Sequence, residues 1–131
     1  MITKRLRLQT SQWDEVLAYF RHGMHPHFTT ESEDLCVLMT EVYYRHTRFT
    51  QMNMMVFKRQ EGDIVIDVLG GGGRVGIFNF YKRAEQDFVD NGFYHVHEYA
   101  RNHQLQVEEL QEEVLERKPS WKENLRNSWR S

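Results

Sequence analysis

The chain has 131 residues, of which 40% are hydrophobic and 27% charged, a composition typical of one globular domain and not of a disordered segment. Its formal net charge of -2 at pH 7 gives no overall attraction to nucleic acid or to an anionic membrane, so we expect neither partner. The single cysteine, Cys36, excludes an intrachain disulfide, and no apolar run reaches the ~20 residues of a membrane helix. We therefore expect a cytoplasmic protein in which Cys36 is a small core residue.

The N-terminal residues are predicted to form a short strand. Ile2, Leu6 and Leu8 lie on one face of an alternating pattern, in which Lys4 is the exception. The residues between them are polar, as expected for a strand with one buried face. We predict an edge strand.

A helix is predicted to follow this strand. It begins at Thr10 or Ser11, which are good N-cap residues, and it ends at Gly23. Its apolar residues follow the i, i+3, i+4, i+7 spacing of one helical face: Trp13, Val16, Leu17 and Phe20. Residues 24–34 combine a proline with clustered acids and show no periodicity, so we predict a loop there.

Three consecutive antiparallel strands are predicted next, because the chain becomes rich in β-branched, aromatic and Met residues. They are Leu35 to Tyr44, Arg48 to Lys58 and Asp63 to Leu69. Short polar turns at 45–47 and 60–62 separate them, and Gly62 suits a positive φ. In the third strand, apolar residues occupy both faces, which predicts a central position in the sheet.

The glycine run from Gly70 to Gly73 is predicted to be the corner between the sheet and the main helix. Residues 74–79 are a candidate fifth strand. The helix begins near Lys82 and ends between residues 102 and 106. A wide apolar face should pack it across the sheet, with a central stripe of Phe88, Gly92, Val96 and Tyr99.

The C-terminal residues are predicted to form a charged helical tail. A narrow apolar edge continues the helical pattern after residue 105, through Val107, Leu110, Val114 and Leu115. Ser120 and Glu123 have the capping-box spacing that starts a new helix. This helix carries an apolar stripe at i, i+4, i+8, formed by Trp121, Leu125 and Trp129.

These elements predict an α+β fold, with an antiparallel meander sheet of four to five strands and a long helix packed on one face. Residues 1–104 form the domain in this interpretation. Residues 105–131 form the helical tail, which packs on the domain or on a second copy. Acidic residues precede basic ones in the tail, so antiparallel pairing of two copies would match opposite charges.

The segment from Gly71 to Gly76 satisfies the G-x-G-x-x-G pattern of dinucleotide-binding loops. Such a loop requires a helix to begin within it and a parallel strand to follow, and neither is predicted here. A glycine-lined anion nest with Arg74 as the charged partner is a second interpretation. A bulge or sharp corner is the structural interpretation, and it is the one we favour.

No motif indicates a reaction class, so we expect a protein that is not an enzyme and has no catalytic residue, cofactor or metal. Six of the seven histidines fall into two groups, at positions 22, 25 and 27 and at positions 95, 97 and 103. His95 and His103 share one helical face, so zinc completed by His25 or His27 is the alternative.

Two functional hypotheses remain. The first is a non-enzymatic, self-associating interaction module, most simply a dimer, that uses the Met-rich surface around Met52, Met54 and Met55. In this hypothesis the tail contributes interface residues Trp121, Leu125 and Trp129. The second is a small-ligand binding protein or enzyme, with a possibly anionic ligand held between the sheet and the long helix. Its candidate ligand-binding residues are Gly71, Gly72, Gly73, Arg74, Asp67, Tyr94 and His95.

Overall fold

Among the residues that the structure describes, a single antiparallel sheet carries both helices. The computed structural model describes residues 2–44, 49–72 and 80–114. The elements in chain order are β1 (Ile2–Leu8), α1 (Trp13–Met24), β2 (Phe28–Glu31), β3 (Leu35–Tyr44), β4 (Phe49–Gln60), β5 (Asp63–Gly72), α2 (Phe80–Asn102) and β6 (Val107–Val114). The strands pair in the order β2-β3-β4-β5-β1-β6, and every pairing is antiparallel. The predicted α+β class and antiparallel sheet are confirmed.

The described sheet has six strands, so the prediction of four to five was wrong. β2 lies inside the segment predicted to be a loop, where four exposed residues, of which only Phe28 is apolar, give no alternating pattern. β6 occupies part of the predicted helical tail. Its apolar spacing fits a helix, but the segment instead extends and pairs with β1. Residues 107–114 therefore belong to the sheet.

The predicted edge position of β1 was also wrong, because β1 lies between β5 and β6. Its second partner, β6, is about a hundred residues away in the chain, so no local sequence pattern could predict the pairing. Three further predictions fall outside the described residues: the turn at 45–47, the fifth strand at 74–79, and the helix of residues 120–131.

The predicted helix over the first apolar stripe is confirmed as α1. Its four predicted core residues are all buried: Trp13, Val16, Leu17 and Phe20. The helix begins at Trp13 with Gln12 at the N-cap, so the predicted start at Thr10 or Ser11 was wrong, and it extends one residue beyond Gly23. His25 then takes the left-handed conformation, with φ 49°, and its N–H bonds the carbonyl of Arg21. The turn that ends this helix therefore uses His25, and Gly23 is helical.

α2 packs directly on the centre of the sheet, as its apolar stripe predicts. Gly92 is what permits the close approach, because a Cβ there would lie 2.7 Å from Cγ1 of Val68 on β5. Lys4, the exception in the β1 pattern, lies beneath this helix. Its ammonium group is 3.2 Å from Asp90 and 4.5 Å from the ring centre of Phe93, so the cation is held by the helix that covers it.

The hairpin between β4 and β5 has the predicted positive-φ turn. Gln60 and Asp63 are paired, and the two residues between them have φ 54° at Glu61 and 81° at Gly62. β5 continues beyond Leu69, so Gly70, Gly71 and Gly72 pair with β4. These three glycines are strand residues and not the predicted corner.

Both helices cover the same face of the sheet and form the core with it. Phe57 of β4 contacts Phe20 of α1, with 5.4 Å between ring centres, and Phe20 in turn lies 6.2 Å from the ring of Tyr99 on α2. Neither of the two described helices is long and apolar enough to cross a membrane.

Candidate functional site

The face of the sheet that points away from both helices is the candidate site, and we call it the open face. Alternation along the strands separates it from the core. On β5, Val68 points to α2, so its neighbours Asp67 and Leu69 point to the open face. On β4, the same alternation places Met54 on the open face and Met55 in the core. The prediction that Met55 contributes to a surface was therefore wrong.

One cross-strand row of residues crosses the whole open face. Adjacent strands pair Phe28 with Met39, Met39 with Met54, Met54 with Leu69, Leu69 with Thr3, and Thr3 with Glu113. The first four residues of this row, from β2 to β5, are large and apolar. We call them the apolar row. They make a continuous apolar strip across four strands.

Further apolar residues flank the apolar row on β3 and β4. Val37 pairs with Val56 on one side of it, and Met52 lies on the other side. The exposed fractions are 51% for Phe28 and 47% for Met52, which is large for side chains of this kind. Met39, Met54 and Leu69 are half-buried, so the patch is exposed in part. A contiguous apolar patch that reaches water is typical of an interaction surface.

The other half of the open face carries paired charges. Asp67 accepts hydrogen bonds from Nε and Nη2 of Arg5, at 2.5 and 3.2 Å, and lies 3.5 Å from the ammonium group of Lys58. Arg7 lies 3.7 Å from Glu61 and 3.8 Å from Asp63. Arg7 and Lys58 are the neighbours of Val65 on the adjacent strands. Their long side chains leave Val65 only 3% exposed, although it points away from the core.

The two edges of the sheet are poor places for a second copy to add a strand. β2 has only four residues. β6 has four glutamates among its eight residues, so two antiparallel copies of it would bring like charges together. The two edges of the described sheet therefore do not favour the addition of a strand from a second copy.

Of the predicted ligand-binding residues that the structure describes, Asp67 lies on the opposite side of the sheet from Tyr94 and His95. Asp67 lies on the open face, with Arg5 as its partner. Tyr94 and His95 lie on α2, on the other side of the sheet, where Tyr94 is 54% exposed and His95 is 3.5 Å from Glu98.

Gly71 and Gly72 pair with residues of β4. Gly73 and Arg74 lie outside the described residues, as do the predicted interface residues Trp121, Leu125 and Trp129.

Sequence reasoning missed a buried polar pair in the core. Gln51 and Asn53 of β4 are 1% and 5% exposed, and Nε2 of Gln51 donates a 2.7 Å hydrogen bond to Oδ1 of Asn53. Their partners on β5 are Gly72 and Gly70. The alternation of side chains along β4 could have predicted this burial, because Gln51 and Asn53 share a face with Met55, which is buried in the core.

Several histidines of the described residues contact neighbouring groups of the fold. Nδ1 of His27 accepts a hydrogen bond from the N–H of Glu41 at 3.0 Å, and His103 stacks on Tyr99 with 4.0 Å between ring centres. Nε2 of His97 lies 3.3 Å from Glu109 on β6. Within residues 2–44, 49–72 and 80–114, no group of three or more potential ligands could hold a metal ion. His46 lies outside these ranges.

A shallow groove of about 350 Å³ lies beside His97, between the end of α2 and β6. Its lining is Ala100, Arg101, Leu105 and Val107 together with His97. Cys36 is fully buried, and burial raises the pKa of its thiol. A protonated, inaccessible thiol is a poor nucleophile.

Comparisons with family models, with curated proteins and with solved structures find no match for this chain. Its function is therefore inferred from the placement of its own residues. Among those residues, the apolar row on the open face is the feature that a stable fold does not itself require.

Proposed function

We propose that this protein is a non-enzymatic interaction module that binds partners through the open face of its sheet, and that it self-associates through this face. The observation that carries the proposal is the apolar row of Phe28, Met39, Met54 and Leu69. It lies on the face opposite both described helices. Phe28 is 51% exposed, and the half-buried Met39, Met54 and Leu69 continue the strip, so a partner's apolar surface can be buried against it.

The size and the margins of the face support this proposal. Six strands about 4.8 Å apart span roughly 24 Å, and a ten-residue strand is about 33 Å long. This area is comparable with the ~800 Å² that each partner of a stable complex buries. The paired charges around Asp67 form a polar margin beside the apolar half, as rims do at protein interfaces.

Sedimentation velocity over a wide concentration series tests the proposal. We expect the mass of the wild-type chain to rise with concentration, and the variant Met54→Lys to remain monomeric because a cation would be buried in the contact. Tyr94→Lys is the control, since Tyr94 is an exposed aromatic residue on α2, on the other side of the sheet. A monomeric wild type, or equal association of the wild type and Met54→Lys, would show that the proposal is wrong.

A small-ligand site near the glycine end of the sheet is the second candidate function. The buried amides of Gln51 and Asn53 favour it, because they lie beside Gly70 and Gly72 on the covered face of the sheet. Calorimetry with phosphate-bearing metabolites on the wild type and on Arg74→Ala tests for an anionic ligand. Binding heat that is lost in Arg74→Ala would support an anionic-ligand site. The absence of heat from both proteins would contradict it.

A further inference from the structure

Three methionines lie together on the open face: Met39, Met52 and Met54. We infer that they make this face a redox-sensitive switch, an inference that rests on the proposed function. A peroxide oxidises the three thioethers to sulfoxides, and the polar sulfoxides then weaken the contact between two copies. The reduced chain self-associates, whereas the oxidised chain is a monomer at the same concentration.

The three thioethers are close neighbours in the sheet. Met39 on β3 pairs directly with Met54 on β4, so their Cβ atoms are about 4.5–5.5 Å apart. Met52 lies two residues before Met54 on the same face of β4, and it is a diagonal neighbour of Met39. Oxidation therefore changes the polarity of one small area, in the middle of the apolar row and directly beside it.

Exposure to water sets the order in which the three are oxidised. Met52 is 47% exposed, and its neighbour on β5 is Gly71, which has no side chain to shield it. Met39 and Met54 are half-buried, so a peroxide reaches them more slowly. We expect Met52 to be oxidised first and the other two to follow.

The methionines on the covered side of the sheet provide a contrast within the same chain. Met55 follows Met54 directly on β4 but is only 3% exposed, in the core. Met24, at the end of α1, is half-buried against the core, so its oxidation would not alter the open face. Cys36 is fully buried. Met52 and Met55 are therefore a matched pair on one strand, with one thioether in reach of a peroxide and one protected.

The oxidation needs a peroxide as its only co-reactant. The thioether sulfur attacks one oxygen of hydrogen peroxide, so that an S–O bond forms and the O–O bond breaks. The departing hydroxide takes the proton from the new S–OH group and leaves as water, and the sulfoxide remains. The sulfur is oxidised by two electrons and the peroxide is reduced by two.

A sulfoxide weakens the contact because it places a polar oxygen where a second copy would exclude water. Met54 has Leu69 beside it in the row, and Met39 has Phe28 beside it. The side chains of these two neighbours have no hydrogen-bond donor for the new oxygen. Burial of an unpaired polar group in a contact raises the dissociation constant by about tenfold or more.

Sedimentation velocity before and after treatment with dilute hydrogen peroxide tests the switch, with peptide mass spectrometry to locate the added oxygen. We expect Met52 to be oxidised before Met55, and the Kd for self-association to rise by about tenfold or more. Self-association should return after treatment with the two methionine sulfoxide reductases, one for each sulfoxide epimer. Unchanged association of a chain that carries sulfoxides at Met52 and Met54 would overturn the inference.

Methionine-to-leucine variants are the matched controls, because leucine has a similar volume and no sulfur. The triple variant Met39→Leu, Met52→Leu and Met54→Leu should self-associate like the wild type and should no longer respond to peroxide. The double variant Met24→Leu and Met55→Leu keeps the thioethers of the open face and should respond as the wild type does. A response to peroxide in the triple variant would overturn the inference, since another group would then be the target.

Failure of the switch and failure of the proposed function give different results. If the untreated wild type is monomeric at every concentration, the proposed function is wrong, and the switch is wrong with it. If the untreated wild type self-associates, Met54→Lys does not, and the oxidised wild type still does, the proposed function stands and only the switch is wrong.

Discussion

The two faces of the sheet have similar strands but different surroundings. The two helices bury Phe57, Ile66 and Val68 on the covered face. Helix α2 approaches β5 so closely that only glycine fits at position 92. On the open face, the side chains of Met52 and Phe28 are about half exposed to water. An apolar side chain stabilises the fold on the first face, whereas on the second it is available to a partner.

The largest expected difference between the two faces concerns a pair of phenylalanines. Phe57→Ala removes a fully buried ring and should lower the free energy of unfolding by about 3–5 kcal/mol. Phe28→Ala, on the open face, should cost less than about 1 kcal/mol. Urea denaturation of both variants measures the difference. Similar losses would show that the open face is as well packed as the core.

The close contact of α2 with the sheet gives an intermediate effect. Gly92→Ala would place a methyl group 2.7 Å from Val68 and should cost about 1–3 kcal/mol. Gly23→Ala is the control, because a Cβ there meets no atom within 4 Å, and it should not destabilise the protein. The penalty at Gly92 should shrink when Val68→Ala makes room. A full penalty in that background would contradict the contact as its cause.

The smallest expected effect is a change of stability at alkaline pH. Burial, followed by the charges of Glu15 and Tyr19, raises the pKa of Tyr99 above its ordinary value of 10.0. The folded chain therefore holds this proton more tightly than the unfolded chain. The resulting stabilisation is complete below pH 10.0 and is lost as the pH rises through the folded-state pKa.

Tyr99→Phe should thus reduce the fall of the unfolding free energy above that pH, because phenylalanine has no proton to lose. Tyr43→Phe is the control, since Tyr43 lies exposed on the open face. Urea denaturation at several alkaline pH values measures the effect. Equal pH profiles for the wild type and Tyr99→Phe would contradict it.

Local patterns predicted the elements that bury one regular face. The stripe from Trp13 to Phe20 predicted α1, and apolar residues on both faces of the segment from Asp63 to Leu69 predicted a central β5. They did not predict β2, because its residues are all exposed. They did not predict β6 either, because its apolar spacing fits a helix and only its pairing with β1 makes it a strand. The candidate site was predicted in part, since Met52 and Met54 lie on the open face while Met55 does not.

The sequence by itself determined the α+β class, the two helices and the position of the β4–β5 turn, because each depends on contacts or backbone preferences a few residues apart. Only the tertiary structure decided that β1 is an inner strand, that Asp67 faces away from Tyr94 and His95, and that Phe28, Met39, Met54 and Leu69 form one row. The physical reason is the pairing register. Hydrogen bonds between strands far apart in the chain set which side chains become neighbours, and no local period encodes that choice.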